Sequence, residues 1–488
     1  MASQSSDTLK VLSVASEAVP LVKTGGLADV VGALPAALAD EGVEVTTLLP
    51  GYPAVMQATK RARVLHAWDS LLGEPARLLS RTLEGTRLLV LDAPGLYQRD
   101  GGLYADPSGT DWSDNWRRFC ALARAAADVA GGVGPKGAGF DLVHTHDWQS
   151  AMTSAYLRYA PLSDRPVPSV LTIHNMAFQG WFGAEVFPRI GLPRAAWSID
   201  GVENHGGVGM LKAGLATASA VTTVSPTYAA EIRSPEFGMG LDGLIRARGH
   251  DVSGILNGID TALWNPQTDR ALRQRYTVRT LARRQGNKRA LEAEFGLEPG
   301  DGPLFIVISR LTWQKGMDVL LECLDHLVGI GGRLALLGSG DAAIEEGFHE
   351  AAARYPGRVA VRIGYDEELS HRMQGGGDAI LVPSRFEPCG LTQLYGLAYG
   401  CVPVVARTGG LADTVIDANP AALMAGVATG VQHEPVGYHT LSSALSRTVA
   451  LFSRPEVWRQ IQSNGMAADF SWGASGRAYA ALYRSLLA

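Results

Sequence analysis

Short apolar runs alternate with longer amphipathic stretches along almost the whole chain, and that rhythm leaves few folds open. Runs at residues 11–15, 45–49, 88–91, 142–144, 170–173 and 221–224 are separated by stretches of helical length that include 27–39 and 115–130. Strands alternating with helices pair in parallel, because each helix carries the chain back across the sheet before the next strand begins. The rhythm restarts after about residue 300, with strands predicted at 304–308, 334–337, 359–363, 379–382 and 402–405, and helices at 317–328, 391–399 and 411–415. A chain of 488 residues exceeds what one hydrophobic core supports. The expected class is therefore α/β, with two Rossmann-like doubly wound domains. Turn residues and a proline from Asp251 through ILNGIDTALWNPQTD end regular structure, which places a hinge at 245–265 and the domains at 1–250 and 251–471.

Charge narrows the partners. The net charge is -5, from 43 basic and 48 acidic residues without long runs of either sign, so no surface is predicted for nucleic acid or anionic lipid. Four cysteines, Cys120, Cys323, Cys389 and Cys401, stand far apart, the pattern of a reduced, cytoplasmic chain without disulfides. The opening MASQSSDTLK has no apolar signal core, and no later segment offers the uninterrupted apolar stretch of a membrane span.

One internal echo stands out. KTGGLADVV at 23–31 returns as RTGGLADTV at 407–415, seven identities in nine, each copy after an apolar strand and at a helix start. Two such turns suggest domains facing across a cleft, although a stable strand-to-helix turn needs no ligand. Backbone N–H groups at Gly25 and Gly26, with the helix dipole and the charge of Lys23, form a candidate anion site. The G-x-G-x-x-G dinucleotide fingerprint is missing there, which argues against an oxidoreductase.

In the second half, SRLTWQKGMD sets Arg310 and Lys315 just past a strand, where doubly wound domains hold ligands. A guanidinium grips two phosphate oxygens and an ammonium adds a mobile charge, a pairing suited to a diphosphate leaving group. The same residues alone would also suit a solvated basic turn. Further on, PSRFEPCGLTQLYG combines Glu387 with a glycine-led helix start, so Gly390, Leu391 and Thr392 could bind phosphate while Glu387 meets sugar hydroxyls or positive charge at an anomeric carbon. Cys389 reads as an inert buried thiol. In the first half, HTHDWQSA and TIHNMAFQG put Asp147 and His174 at strand ends. His144 and His146 are read as lying on opposite faces of their strand; with no D-x-D pair nearby, no metal is expected.

Taken in order, KTGGLADVVGALP, DNWRRF, HTHDWQSA, TIHNMAFQG, GILNGID, SRLTWQKG, SRFEPCGLTQLYGLAYG and RTGGLADTV resemble the bacterial glycogen and plant starch synthases, from about residue 9 to the end. The resemblance implies a GT-B architecture and transfer of glucose, with retention, from ADP-glucose to the non-reducing end of an α-1,4-glucan, without a metal or other cofactor. It further implies that Lys23, Gly25 and Gly26 meet the donor's phosphates, that Arg310 and Lys315 hold the diphosphate, and that Glu387, Cys389 and Thr392 line the donor site. His174 and Asp147 match positions near the transferred glucose, and Tyr365 matches a tyrosine near the base. Residues 472–488 are expected to return to the first domain. Many related transferases carry a second glutamate eight positions after the first; Tyr395 stands there in this chain, as in the starch and glycogen synthases. Two alternatives stay open: a silent sugar-nucleotide or glucan-binding protein of the same fold, and a transferase with another acceptor. The choice between ADP-glucose and UDP-glucose rests on the resemblance alone.

Overall fold

The computed structural model describes residues 8–134 and 139–488. The first seven residues, read above for targeting signals, lie outside the described residues. Contacts divide the chain into two units, one holding residues up to Gly258 together with Trp472–Ala488, the other Ile259–Ser471.

The first unit contributes strands β1 (Leu9–Val14), β2 (Val43–Pro50), β3 (Arg63–Leu71), β4 (Glu74–Leu83), β5 (Thr86–Asp92), β6 (Leu142–His146), β7 (Ser169–Ile173), β8 (Trp181–Gly183), β9 (Glu203–Asn204), β10 (Gly207–Gly209), β11 (Ala220–Thr223) and β12 (Val252–Gly254). Nine form one sheet in the order β12-β11-β7-β6-β1-β2-β5-β4-β3, and β8-β10-β9 form a small separate sheet. From β12 to β5 every pairing is parallel; β4 and β3 close the edge antiparallel. Strands β6 and β7 are buried along their whole length, as a parallel sheet covered on both faces requires. The expected boundary at 250/251 moves to Gly258/Ile259, because β12 pairs with β11 and so completes the first sheet.

The second unit holds β13 (Leu304–Ile308), β14 (Arg333–Gly338), β15 (Val359–Ile363), β16 (Ala379–Val382), β17 (Val402–Ala406) and β18 (Val431–His433). These pair in parallel in the order β15-β14-β13-β16-β17-β18. The single helix expected over 317–328 is two, Met317–Glu322 and Leu324–Gly329. At the junction the Cys323 amide is shared between the Val319 and Leu320 carbonyls, at 3.2 and 3.0 Å, which tightens the turn.

Topology dictates where ligands can sit. In each sheet the chain winds outward one way from a central strand and then resumes on the other side, leaving a crevice at the carboxyl ends of β1 and β6 and of β13 and β16. Every strand end that the motifs occupy in the two central pairs lies at these switch points.

The final helix, Trp472–Ser485, packs in the first unit. Tyr479, Ala480 and Tyr483 join a core cluster with Val11, Val30 and Leu142. Gly476 permits the approach, since a Cβ there would stand 2.6 Å from the Ala37 carbonyl oxygen of the helix Gly26–Ala39. The Tyr483 hydroxyl lies 2.8 Å from His144 Nδ1, inside the core. Tyr483→Ala is expected to destabilise the first unit by about 3–5 kcal/mol through the cavity it leaves, and Tyr483→Phe by about 1–3 kcal/mol through the polar partner it strands. Urea unfolding followed on the first unit checks both.

Candidate active site

In the second unit, two loops at the β13/β16 switch point bring the predicted residues together. Lys315 Nζ donates to Glu387 Oε2 at 2.5 Å, and the Ser384 hydroxyl donates to the same oxygen at 2.8 Å. Glu387 retains only 7% of its exposure. A carboxylate so far removed from water needs such partners. Arg310 lies exposed beside them, its Nη2 3.5 Å from Gln314 Oε1, and Gln314 reaches the Phe386 carbonyl at 3.3 Å. The Arg385 amide donates to the Gln314 carbonyl at 2.9 Å, and the Arg385 guanidinium grips Asp318 with two bonds of 2.7 Å while lying 4.4 Å over Trp313. The basic turn and the glutamate loop are thus tied by backbone and side chain alike.

Behind Glu387 stands the second copy of the internal echo. The amide of Gly410 donates to the Glu387 and Pro388 carbonyls at 3.1 and 3.2 Å, and a Cβ on Gly409 or Gly410 would collide with the backbone of Glu387 or Cys389. The RTGG turn is therefore a buttress for the glutamate loop. Gly390, at φ +70°, turns the chain into the helix Thr392–Tyr399, whose start carries no side-chain cap. Gln393 fixes that turn by donating to the Gly390 carbonyl at 2.8 Å. Cys389 is buried, with its sulfur 3.4 Å from the Gly390 carbonyl. Tyr395 stacks on Trp264 at 3.7 Å, and His371 covers the other face of that indole at 3.8 Å. Where related chains carry a second glutamate, this one has a packing ring. Tyr365 follows β15, two strands away from β13, is 74% exposed, and donates to Glu367 at 2.9 Å.

In the first unit, Lys23, Gly25 and Gly26 follow β1, Asp147 follows β6 and His174 follows β7. Lys23 is paired with Asp29 at 2.8 Å. The amides of Thr24 and Gly25 already meet an anion of the protein itself: Glu17 Oε2, at 2.5 and 3.4 Å. Glu17 is buried and also accepts from Tyr104 at 2.6 Å. Sequence reasoning missed Glu17, although a lone glutamate between β1 and a Gly-Gly turn is the available signal.

Asp147 adopts φ +55°, an uncommon conformation for a residue with a side chain, and its carboxyl accepts from the His174 amide at 2.6 Å. Burial pushes its pKa up to about 7, against the lowering effect of the His174 and Asn175 amides. His146 Nδ1 lies 3.1 Å from His174 Nε2, and His146 Nε2 3.2 Å from Ser13 Oγ. The expectation that His144 and His146 face opposite ways is wrong. Two residues apart on a strand, they share a face, and their rings lie 4.1 Å apart. Both nitrogens of His144 are engaged, by Thr172 and Tyr483. Burial pushes the pKa of His144 and of His174 down to about 3 and that of His146 well below the usual range. Among the described residues no group of three His, Cys, Asp or Glu is arranged to hold a metal ion.

These geometries suit a polar, uncharged ligand in the first unit and an anionic one at the Arg310–Lys315 turn of the second. Comparisons with known proteins show the family. Residues 10–247 match the starch synthase catalytic domain family and residues 288–430 match glycosyl transferases group 1. The chain is 72% identical to a glycogen synthase of Novosphingobium aromaticivorans, covering 99% of both chains, and 58% identical to one of Mesorhizobium japonicum, covering 98% of this chain and 99% of that one. Among solved structures, the catalytic domain of starch synthase IV from Arabidopsis thaliana, bound to ADP and acarbose, superposes with a TM-score of 0.86 at 32% identity, over 98% of this chain and 99% of that one. A sucrose-phosphate synthase from Thermosynechococcus elongatus, at TM-score 0.61 and 19% identity over 98% and 99% of the two chains, shares the fold.

The buried titratable groups have a measurable consequence. As pH falls below about 6.5, the three histidines take up protons in the unfolded chain before the folded one, so their contribution to stability is lost toward acid. Asp147 acts oppositely: the unfolded chain releases its proton near pH 4 and the folded chain near 7, so stability falls as pH rises between them. Near pH 5 these four groups are expected to add a net uptake of about two protons on unfolding of the first unit, rising to about three in Asp147→Asn. Calorimetry in buffers of different ionisation enthalpy, comparing the two proteins, measures the difference.

Proposed function

Because this chain belongs to the glycogen synthase family, we propose that it transfers glucose from ADP-glucose to the non-reducing end of an α-1,4-glucan such as glycogen, releasing ADP. It is a glycosyltransferase with the two-domain α/β fold of the GT-B class. The observation that carries the chemistry is the Lys315–Glu387 contact at the β13/β16 switch point, with Arg310 exposed beside it. An ammonium has three hydrogens, so Lys315 can keep its bond to Glu387 and still donate to phosphate oxygens. Arg310 adds a fork-shaped donor set that fits two oxygens at once. Together with the uncapped helix start at Leu391 and Thr392, they stabilise the charge that grows on a departing diphosphate. Gly390 and Cys389 shape that wall. Tyr365, exposed on its turn, is the assigned contact for the base; the Lys23–Gly25–Gly26 turn, expected to meet the donor's phosphates, is given no such role, because Lys23 is paired with Asp29 and the Gly25 amide already meets Glu17.

Retention by double displacement needs a carboxylate free to attack the anomeric carbon. We give Glu387 no nucleophilic role: its Oε2 accepts from both Lys315 and Ser384, which holds the carboxylate as the ammonium's counter-ion. Transfer therefore runs on one face of the sugar through an oxocarbenium-like state, and the leaving diphosphate draws the proton of the acceptor 4-hydroxyl. Asp147 and His174 orient the glucose. The cations are side chains, and no metal is required. We assign the reaction to the cytoplasm; Cys120, Cys323, Cys389 and Cys401 are buried thiols, and among the described residues no helix is long and apolar enough to cross a membrane.

Lys315→Ala is expected to lower kcat with ADP-glucose and glycogen by about 10²–10³-fold, as loss of one preorganised electrostatic donor does. Incorporation of labelled glucose, with and without a chelator and with UDP-glucose as the competing donor, measures it. Near-normal turnover would remove Lys315 from the mechanism. Intact-protein mass spectrometry during turnover should show no glucosylated species; a trapped adduct on any side chain would overturn the one-face route.

A further inference from the structure

The small sheet β8-β10-β9 lies beyond the loop that leaves His174, and its outer face is unusual. In the antiparallel register Trp181 stands opposite Gly209, and Gly183 opposite Gly207. Three of these four side chains are hydrogen, so the indole spreads over a bare floor; a Cβ on Gly207 would sit 2.6 Å from the ring. Trp181 Nε1 donates to the Asn204 carbonyl at 2.8 Å, which fixes the ring's direction. The residue nevertheless keeps 53% of its exposure. The opposite face explains the anchoring: Val208 is buried and Phe182 packs against the first unit's core. The connecting loop is held too. Gln179 donates to the Met176 and Met239 carbonyls at 3.3 and 3.0 Å, and the Met210 and Leu211 amides donate to the Gly180 and Gln179 carbonyls at 2.9 and 3.0 Å.

A large aromatic surface held rigid and left in water is a ready stacking surface for a ring with an apolar face. Its surroundings select the ligand. The Glu185 carboxylate approaches the floor at Gly183, and Asn204 stands opposite Gly207, so hydroxyl partners flank the ring. Glu185 and Glu203 would repel an anion such as a nucleotide or phosphate. A neutral, hydroxyl-rich ring with an apolar C–H face fits. Phe178, 54% exposed in the same loop, offers a second apolar surface between the platform and His174.

We propose that Trp181, with Glu185 and Asn204, forms a stacking platform for an α-glucan chain on the first unit, continuous with the loop that carries His174. The identity of the polymer rests on the transferase reading above. The platform holds the chain without taking part in bond making, so it governs affinity for long acceptors.

Native electrophoresis through gels containing glycogen, with no donor present, tests it directly. The wild-type protein should be retarded, Trp181→Ala should lose about tenfold in apparent affinity, Trp181→Phe should stay within about threefold, and Glu185→Ala should weaken by about threefold. In turnover, Trp181→Ala should raise KM for glycogen with kcat unchanged, and leave KM for ADP-glucose with a maltotriose acceptor unchanged. Equal retardation of wild type, Trp181→Ala and Glu185→Ala overturns the platform, as does altered self-association of Trp181→Ala with retardation unchanged, which would make the surface a protein contact. Retardation that depends on Trp181 in a protein that incorporates no glucose would sink the transferase reading and keep the platform; incorporation with retardation indifferent to Trp181 would do the reverse.

Discussion

A lysine and a glutamate 2.5 Å apart, both largely shielded from water, set the geometry on which the chemistry of the second unit depends. Neither is tolerable there alone, since breaking a buried pair leaves a charge without compensation. The contact therefore ties the turn after β13 to the loop after β16, and with it the positions of Arg310 and the helix start at Thr392. The surrounding structure serves that contact: Ser384 completes the carboxylate, Arg385 and Asp318 clamp the two loops, and Gly409 and Gly410 let a neighbouring turn press against the glutamate's own backbone.

The first unit follows a different electrostatic rule. Around Asp147 and His174 the polar groups are buried or half-buried and mutually bonded without a full counter-charge, and loss of water drives the histidines toward neutrality. A neutral polar site binds hydroxyls without attracting competing ions, which suits a sugar. Strained backbone at Asp147 and the bond from the His174 amide fix the carboxyl at the strand end.

Much of this was legible in the sequence because parallel strands buried on both faces are written as unbroken apolar runs, and the runs at 304–308 and 379–382 coincide with β13 and β16. Motif spacing also placed Arg310, Lys315 and Glu387 at strand ends. The antiparallel edge was not legible. Strand β3 is mostly exposed, and its turn into β4 uses Leu72 and Gly73, both at positive φ, where Asn-Gly or Asp-Gly would have announced a hairpin. The repeated TGG motif misled in a different way: identical letters serve one turn that wraps a buried Glu17 and another that wedges against a loop, because what lies opposite each copy comes from distant sequence. Tertiary partners of this kind leave no local periodicity to read.

The return of the helix Trp472–Ser485 to the first unit makes the second unit an insertion in the first. Segments made early thus share a hydrophobic cluster with residues made several hundred positions later, and Val11, Val30 and Leu142 cannot finish packing until Tyr479 and Tyr483 have left the ribosome. The order usual for a growing chain, in which the amino-terminal domain completes itself first, is inverted. The inner unit can close during synthesis, while the outer one stays unfinished until Tyr479 and Tyr483 have emerged.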